Sequence, residues 1–370
     1  MRVVMFYQSL VSDWNHGNAH FLRGIVSELL ARGNNVRVFE PRDGWSRTNL
    51  LEDHGDAAID GFERTYPHLR SELYDLPTLD LDETLLGTDL VVVHEWNSAD
   101  LVARIGDHHA SHPEYRLVFH DTHHRSITDP AAMNGYDLRH YDGVLAFGEA
   151  VRDVYLARDW ATRVWTWHEA ADTGVFHPRR SHAEPPGDLV SIGNWGDEER
   201  TAELEEFLIR PVRELGLRAT VYGVRYPDHA RTALAAAGIT YGGWLPNFEV
   251  PSVFAEHKVT IHLPRRPYLD ALPGVPTIRP FEALACGIPL VSALWNEAAG
   301  LFTPGADFLV ARDGDDMAAH LRSLIADSER RATLAAHGLA TIRARHTCAH
   351  RVDELLAIYK QLTAQFVESL

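Results

Sequence analysis

Strand and helix signals alternate along this chain, and they do so twice. The opening MRVVMFYQS is a near-continuous apolar run. A strand of that kind is buried on both faces, as in a parallel sheet. HFLRGIVSELLARG follows, with Phe21, Leu22, Ile25, Leu29 and Leu30 at helical spacing and Gly33 placed to end the helix. NNVRVFEP is then a second strand. Parallel strands need such a crossover, so this opening predicts a doubly wound α/β sheet. DLVVVHEW from Asp89, YRLVFHDTHH from Tyr115 and YDGVLAFGEAV from Tyr141 continue the series.

A break comes at HPRRSHAEPPGD, which is rich in proline and charge and has no periodicity. A second alternation starts after it. DLVSIGNW, RATVYGV, VTIHLPRR and IPLVSA read as strands, and DEERTAELEEFLIRPVRELG, HARTALAAAG, VPSVFAEHK and PFEALACG as helices. Further helices follow to the end. The reading is an N-terminal Rossmann-like domain over residues 1–176, a linker at 177–188, a second Rossmann-like domain over 189–347 and a last helix at 348–370. Two such sheets facing each other would enclose a cleft, with ligands outside the carboxyl ends of the strands.

Composition removes some functions. The net charge is −17, and a surface of that sign repels phosphate backbones, so nucleic acid is not an expected partner. No apolar run is long enough to span a bilayer, and MRVVMFYQSL reads as a first strand rather than a signal peptide. The two cysteines, Cys286 and Cys348, form neither a disulfide framework nor a metal-site spacing. A cytoplasmic protein without a resident metal is expected.

Three groups of residues carry chemistry. In WNHGNAHF, His16, Gly17 and Asn18 lie between the first strand and its helix. A diphosphate or sugar hydroxyl suits that place, and so does an ordinary loop. In FHDTHHRS, His120, Asp121, His123 and His124 lie at a strand end. Their spacing is not that of a zinc motif, and a hydrogen-bonding cluster is the better reading than a metal. The Asp-x-Asp of LDLDE reads as a solvated acidic face in a loop. In the second half, Asn194 and Trp195 end one strand, Arg225 another, and Arg265, Arg266 and Arg279 surround the approach to Glu282. Arginine forks suit diphosphate oxygens, and surface ion pairs are the plain alternative. Glu282 reads as a carboxylate near a helix start, followed by the small residues Ala283, Ala285 and Gly287.

FEALACGIPLVSA resembles the signature of group 1 glycosyltransferases, in which a glutamate heads a small-residue helix. GNWGDEERTAELEEFLIRPVRELGLRATVYGVRYP, YGGWLPNFEVPSVFAEHKVTIHLPRRPY, WHEAADTGVFHPRR and ADFLVARDGDDM are similar to stretches of the CgeB-like, spore-maturation-type branch. The resemblance spans nearly the whole chain and implies a GT-B fold. It implies a nucleotide sugar bound mainly by the second domain, with the final helix crossing back to the first. It makes Glu282 the acceptor of the ribose hydroxyls, and it brings Asn194, Trp195, Trp244, Arg225, Arg265 and Arg279 into the donor site. It matches the sugar-contacting histidine of relatives to the HDTHH segment, giving His120, Asp121 and His124 as catalytic candidates. Two departures stand out. Relatives carry Glu-x(7)-Glu, but Gly274 holds the earlier position, and the lysine of the first loop of the second domain is missing from GNWGDEER.

The expected reaction is glycosyl transfer from a nucleotide diphosphate sugar to an acceptor hydroxyl of unnamed identity, retaining and without a metal or cofactor. An inverting enzyme would need a general base, for which His16, Asp121 and His124 are the candidates. A nucleotide-sugar epimerase of the same fold and a non-catalytic nucleotide-sugar-binding protein are the alternatives.

Overall fold

The computed structural model describes residues 1–179, 185–196 and 200–369. Part of the expected linker, and the acidic start of the helix expected after Trp195, lie outside the described residues. The chain divides into two compact units, Met1–Glu169 with Cys348–Leu370, and Ala170–Thr347.

The first unit is built on a parallel sheet of seven strands: β1 (Arg2–Phe6), β2 (Asn35–Pro41), β3 (Glu72–Tyr74), β4 (Leu90–His94), β5 (Arg116–Asp121), β6 (Gly143–Ala146) and β7 (Val164–Thr166). Their order is β3-β2-β1-β4-β5-β6-β7. Every residue of β4 and β5 is buried, which is why both read as unbroken apolar runs. The first helix, Ala19–Ala31, buries Phe21, Leu22, Ile25 and Leu29 completely. Each such side chain contributes about 1.5–3 kcal/mol relative to exposure. The helix Cys348–Ser369 completes this unit: Arg32 Nη1 reaches Asp353 at 2.5 Å, and Trp167 Nε1 donates to the Arg351 carbonyl at 2.9 Å.

The second unit has six parallel strands: β8 (Gly187–Ile192), β9 (Ala219–Tyr222), β10 (Thr240–Tyr241), β11 (His257–His262), β12 (Leu290–Ala293) and β13 (Leu309–Ala311). Their order is β10-β9-β8-β11-β12-β13. The helix Ile278–Cys286 is buried along nearly its whole length and ends at Gly287, whose φ of +67° gives it the left-handed turn that closes a helix.

The structure differs from the sequence reading in several places. Helices Trp45–His54 and Asp56–Thr65 fill the stretch between β2 and β3 to which the sequence reading assigned no element. The helix expected over VPSVFAEHK stops at Ala255, because His257 already belongs to β11. The Asp-x-Asp expected in a loop is part of the helix Leu81–Leu85, whose start Asp80 caps by accepting from the Glu83 amide at 3.0 Å. Among the described residues no helix is long and apolar enough to cross a membrane.

Candidate functional site

Chain order reverses beside one central strand in each sheet, between β1 and β4 in the first and between β8 and β11 in the second. Loops leaving neighbouring strands there run to opposite sides of the sheet and open a crevice at the carboxyl ends. The loops after β1 and β4 flank the first of these places, and those after β8 and β11 the second.

In the second unit, Asn194 follows β8, and its Oδ1 accepts from the Val224 amide at 2.8 Å. Arg200 donates to the carbonyl of Asn194 and, at 2.8 Å, to that of Leu263, so one guanidinium ties the loops after β8 and β11 together. His262 ends β11. Its Nδ1 meets Ser292 Oγ and its Nε2 meets Thr277 Oγ1, both at 3.0 Å. Burial, reinforced by Arg200 and Arg279, lowers the His262 pKa to about 3, so its imidazole is neutral. Thr277 stands immediately before the helix Ile278–Cys286, so His262 pins the helix start to the end of β11.

Glu282 is the fifth residue of that helix and fully buried, which corrects the reading of a carboxylate near the helix start. Arg279, one turn earlier, donates to its Oε2. A charge held away from water must be paired, and Arg279 supplies the partner. Gly274 has φ +78°, and a Cβ there would lie 2.9 Å from the Ala299 amide nitrogen. The backbone therefore leaves no room for the glutamate that relatives carry at this position.

The remaining donor-site candidates divide. Arg225 follows β9 in a left-handed conformation (φ +57°) and is exposed. Arg265 is half-buried and immediately precedes the short helix Arg266–Asp270, while Arg266 is taken up by Glu203 at 2.8 Å. Trp244 is half-buried beyond β10. Trp195 is 2% exposed, stands edge-on to Tyr226 and donates to Thr201 Oγ1 at 3.0 Å, which makes it part of the core beneath the β8 loop.

In the first unit the loop after β1 is held by two buried charged groups. Glu40 accepts from the Leu10 and Val11 amides at 2.6 and 3.0 Å, and from the Ser9 hydroxyl at 3.0 Å. Arg23 donates to the Leu10 and Val11 carbonyls at 2.8 and 2.7 Å and to Asp13 at 2.9 Å. This loop presents His16, which is buried, Gly17, which is exposed, and Asn18, whose Nδ2 reaches the Thr122 carbonyl at 3.5 Å. The β1 and β5 loops therefore meet.

The FHDTHHRS residues take three different places. His120 is fully buried against Phe21 and Trp167, with neither ring nitrogen hydrogen-bonded, and burial lowers its pKa to about 3. Asp121 accepts from the Tyr155 hydroxyl and the His123 amide, each at 2.9 Å. His124 is 7% exposed and bonds Thr128 Oγ1 through Nδ1 at 2.7 Å. No cluster of three metal-binding groups forms here among the described residues.

Two residues that the sequence reading passed over sit at the centre of this group. Glu95, directly after β4, is fully buried. Arg125 donates to both its carboxylate and its carbonyl, and Tyr136 donates to the carbonyl as well. Thr122 Oγ1, which itself meets His94 Nε2 at 3.0 Å, completes the ring at 3.4 Å from Glu95 Oε1. Burial raises the pKa values of both Glu95 and Asp121, and the Asp121 charge raises that of Glu95 further. Arg125 also lies 4.1 Å from the ring centroid of the exposed Trp96, which His123 meets edge-on at 5.0 Å. The signal was present in DLVVVHEW, where His94 and Glu95 break an apolar strand at its carboxyl end.

Residues 200–357 match a family model described as glycosyl transferase-like, a region that includes β11, Arg279 and Glu282. An α-glucosyltransferase solved with UDP-glucose and DNA containing an abasic site superposes with a TM-score of 0.73 at 12% identity, over 97% of this chain and 99% of that one. A sucrose-phosphate synthase from Thermosynechococcus elongatus gives 0.65 at 14% identity, over 99% and 100%. Anabaena Alr3699/HepE, solved with UDP-glucose, gives 0.62 at 16% identity, over 100% of both chains. The fold is GT-B. It comprises two Rossmann-like α/β domains, the architecture expected from the double alternation. No curated protein matches the sequence.

Proposed function

We propose that this chain is a retaining, metal-independent glycosyltransferase of the CgeB-like branch, moving a sugar from a nucleotide diphosphate sugar to an acceptor hydroxyl. The observation that carries the reading is the buried Glu282 carboxylate, paired with Arg279 on a helix pinned by His262 and Thr277 at the reversal point of the second sheet. A carboxylate held in one orientation accepts from two adjacent ribose hydroxyls. The glycosyl transferase-like match over this region and the UDP-glucose in two of the superposed structures support it.

The chemical demand is charge on the leaving phosphate. As the anomeric C–O bond breaks, the β-phosphate oxygen becomes more negative. Arg265 and Arg225, with the amino end of the helix Ile278–Cys286, are the positive groups assigned to it. Losing one preorganised donor of this kind costs about 3 kcal/mol of transition-state stabilisation. The acceptor is assigned to the first unit, at the loops after β1, β4 and β5. The acidic surface opposes a nucleic-acid acceptor.

The test is a thermal-shift screen with UDP-, GDP-, TDP- and ADP-sugars, followed by nucleoside diphosphate release with candidate acceptors. Stabilisation by one nucleotide sugar, with acceptor-dependent release, is the expected result. Binding without release under every acceptor would count against transfer.

A further inference from the structure

The Asp-x-Asp segment contributes to a second polar cluster, far along the strands from the crevice. Asp82 lies in the helix Leu81–Leu85, which leads into β4. His108 lies in the last turn of the helix Ala99–Ser111, which leads towards β5, and His112 follows that helix. One ligand atom from each of Asp82, His108 and His112 falls within 4.8 Å of the others. The cluster therefore sits at the amino ends of β4 and β5, whereas Glu95 and Asp121 mark their carboxyl ends.

We propose that Asp82, His108 and His112 form a binding site for a divalent transition metal such as zinc, with a structural rather than a catalytic role. His112 Nδ1 lies 3.1 Å from the His108 carbonyl, an acceptor only, so Nδ1 carries the proton and Nε2 presents its lone pair. His108 Nδ1 lies 3.0 Å from the Tyr115 hydroxyl, which accepts from it when Nε2 binds an ion. Ligating histidines are held in this way, the second nitrogen donating to an oxygen that fixes the ring. His108 Nε2 is buried with no aligned hydrogen bond, at 3.2 Å from Asp82 Oδ1. Bonds of about 2.0–2.1 Å at tetrahedral angles put neighbouring ligand atoms about 3.3 Å apart, so this pair is already spaced for zinc.

The surroundings favour a cation. Asp82 and Glu114 both act on His108 as anions, and the carbonyls at the end of a helix add partial negative charge. The rings of His108 and His112 stack at 4.3 Å, with 18° between their planes. Three protein ligands leave a position for water, and the ion would tie the helix before β4 to the helix before β5. This site does not depend on the glycosyl-transfer reading.

The experiment is titration of the full chain, stripped with EDTA, with zinc chloride in a calorimeter, alongside His112→Gln and Asp82→Asn. Asp82 is exposed, so its variant keeps the fold. The expected result is one zinc ion bound by the parent chain, at least tenfold weaker binding in each variant, and a zinc-dependent rise in Tm that both variants lose. Nucleotide-sugar binding should be unchanged. A parent chain that binds no zinc, or either variant binding it as tightly as the parent, overturns the site.

Discussion

Arg279 and Glu282 form an ion pair across one turn of a buried helix, with the carboxylate fully enclosed and the guanidinium at 14% side-chain exposure. The pair explains how a negative charge survives in a stretch of small apolar residues. It also fixes the orientation of the carboxylate, which a ligand reaches once the side chains covering it move aside. Glu282→Ala removes a charged acceptor, a type of hydrogen bond that contributes about 1.5–3 kcal/mol. UDP affinity measured by calorimetry is expected to fall at least tenfold. The variant also strands Arg279, so unfolding in urea should show a loss of about 3–5 kcal/mol. A variant that keeps full UDP affinity would remove Glu282 from the donor site.

Gly274 gives a second, independent prediction. Restoring the glutamate of relatives at this position should not improve activity. Any side chain would be built at φ +78° against the Ala299 backbone. Gly274→Ala is expected to destabilise by about 1–3 kcal/mol, read as a lower urea midpoint with unchanged slope. Gly274→Glu should be worse. A Gly274→Glu chain as stable as the parent would show that this loop rearranges freely.

The sequence made individual strands easy to read where they are buried on both faces, as β4 and β5 are, while their order in the sheets came only with the structure. It was silent on β3, β7 and β13, which have three residues each and lie near or at sheet edges, too short for a period to register. The site was legible at the level of loops. Asn194 follows β8 and the HDTHH segment straddles the end of β5, because polar residues closing an apolar run mark the carboxyl end. Side-chain direction was not legible. Trp195 turns into the core and His120 packs under Trp167, while Glu95 and His262, which the sequence reading did not single out, organise their surroundings through hydrogen bonds that join distant parts of the chain.

The loop after β1 depends on a residue from another strand. Glu40 in β2 accepts two amides and a hydroxyl from Ser9, Leu10 and Val11. Glu40→Ala leaves those buried donors without their acceptor, each at a cost of about 1–3 kcal/mol. The expected outcome is a clear fall in Tm and faster hydrogen exchange at the Leu10 and Val11 amides. Donor affinity should be kept, since the loop lies in the first unit.

Stability should also fall on the acid side, for a reason that lies in the histidines. Burial lowers the pKa values of His16, His120 and His262 to about 3 and that of His168 to about 4. The unfolded chain protonates these groups near pH 6.5, while the folded chain holds them neutral. Between those values the unfolded state binds more protons, so stability rises with pH there and is lost as pH falls. Their contribution is complete above about pH 6.5, and each group withdraws up to about 1.4 kcal/mol per pH unit below it. Urea midpoints should therefore drop between pH 7 and pH 5. His120→Leu removes one such group without breaking a hydrogen bond, since neither of its ring nitrogens makes one. That variant is expected to show a shallower decline. An identical slope in the two proteins would mean that His120 is protonated in the folded chain.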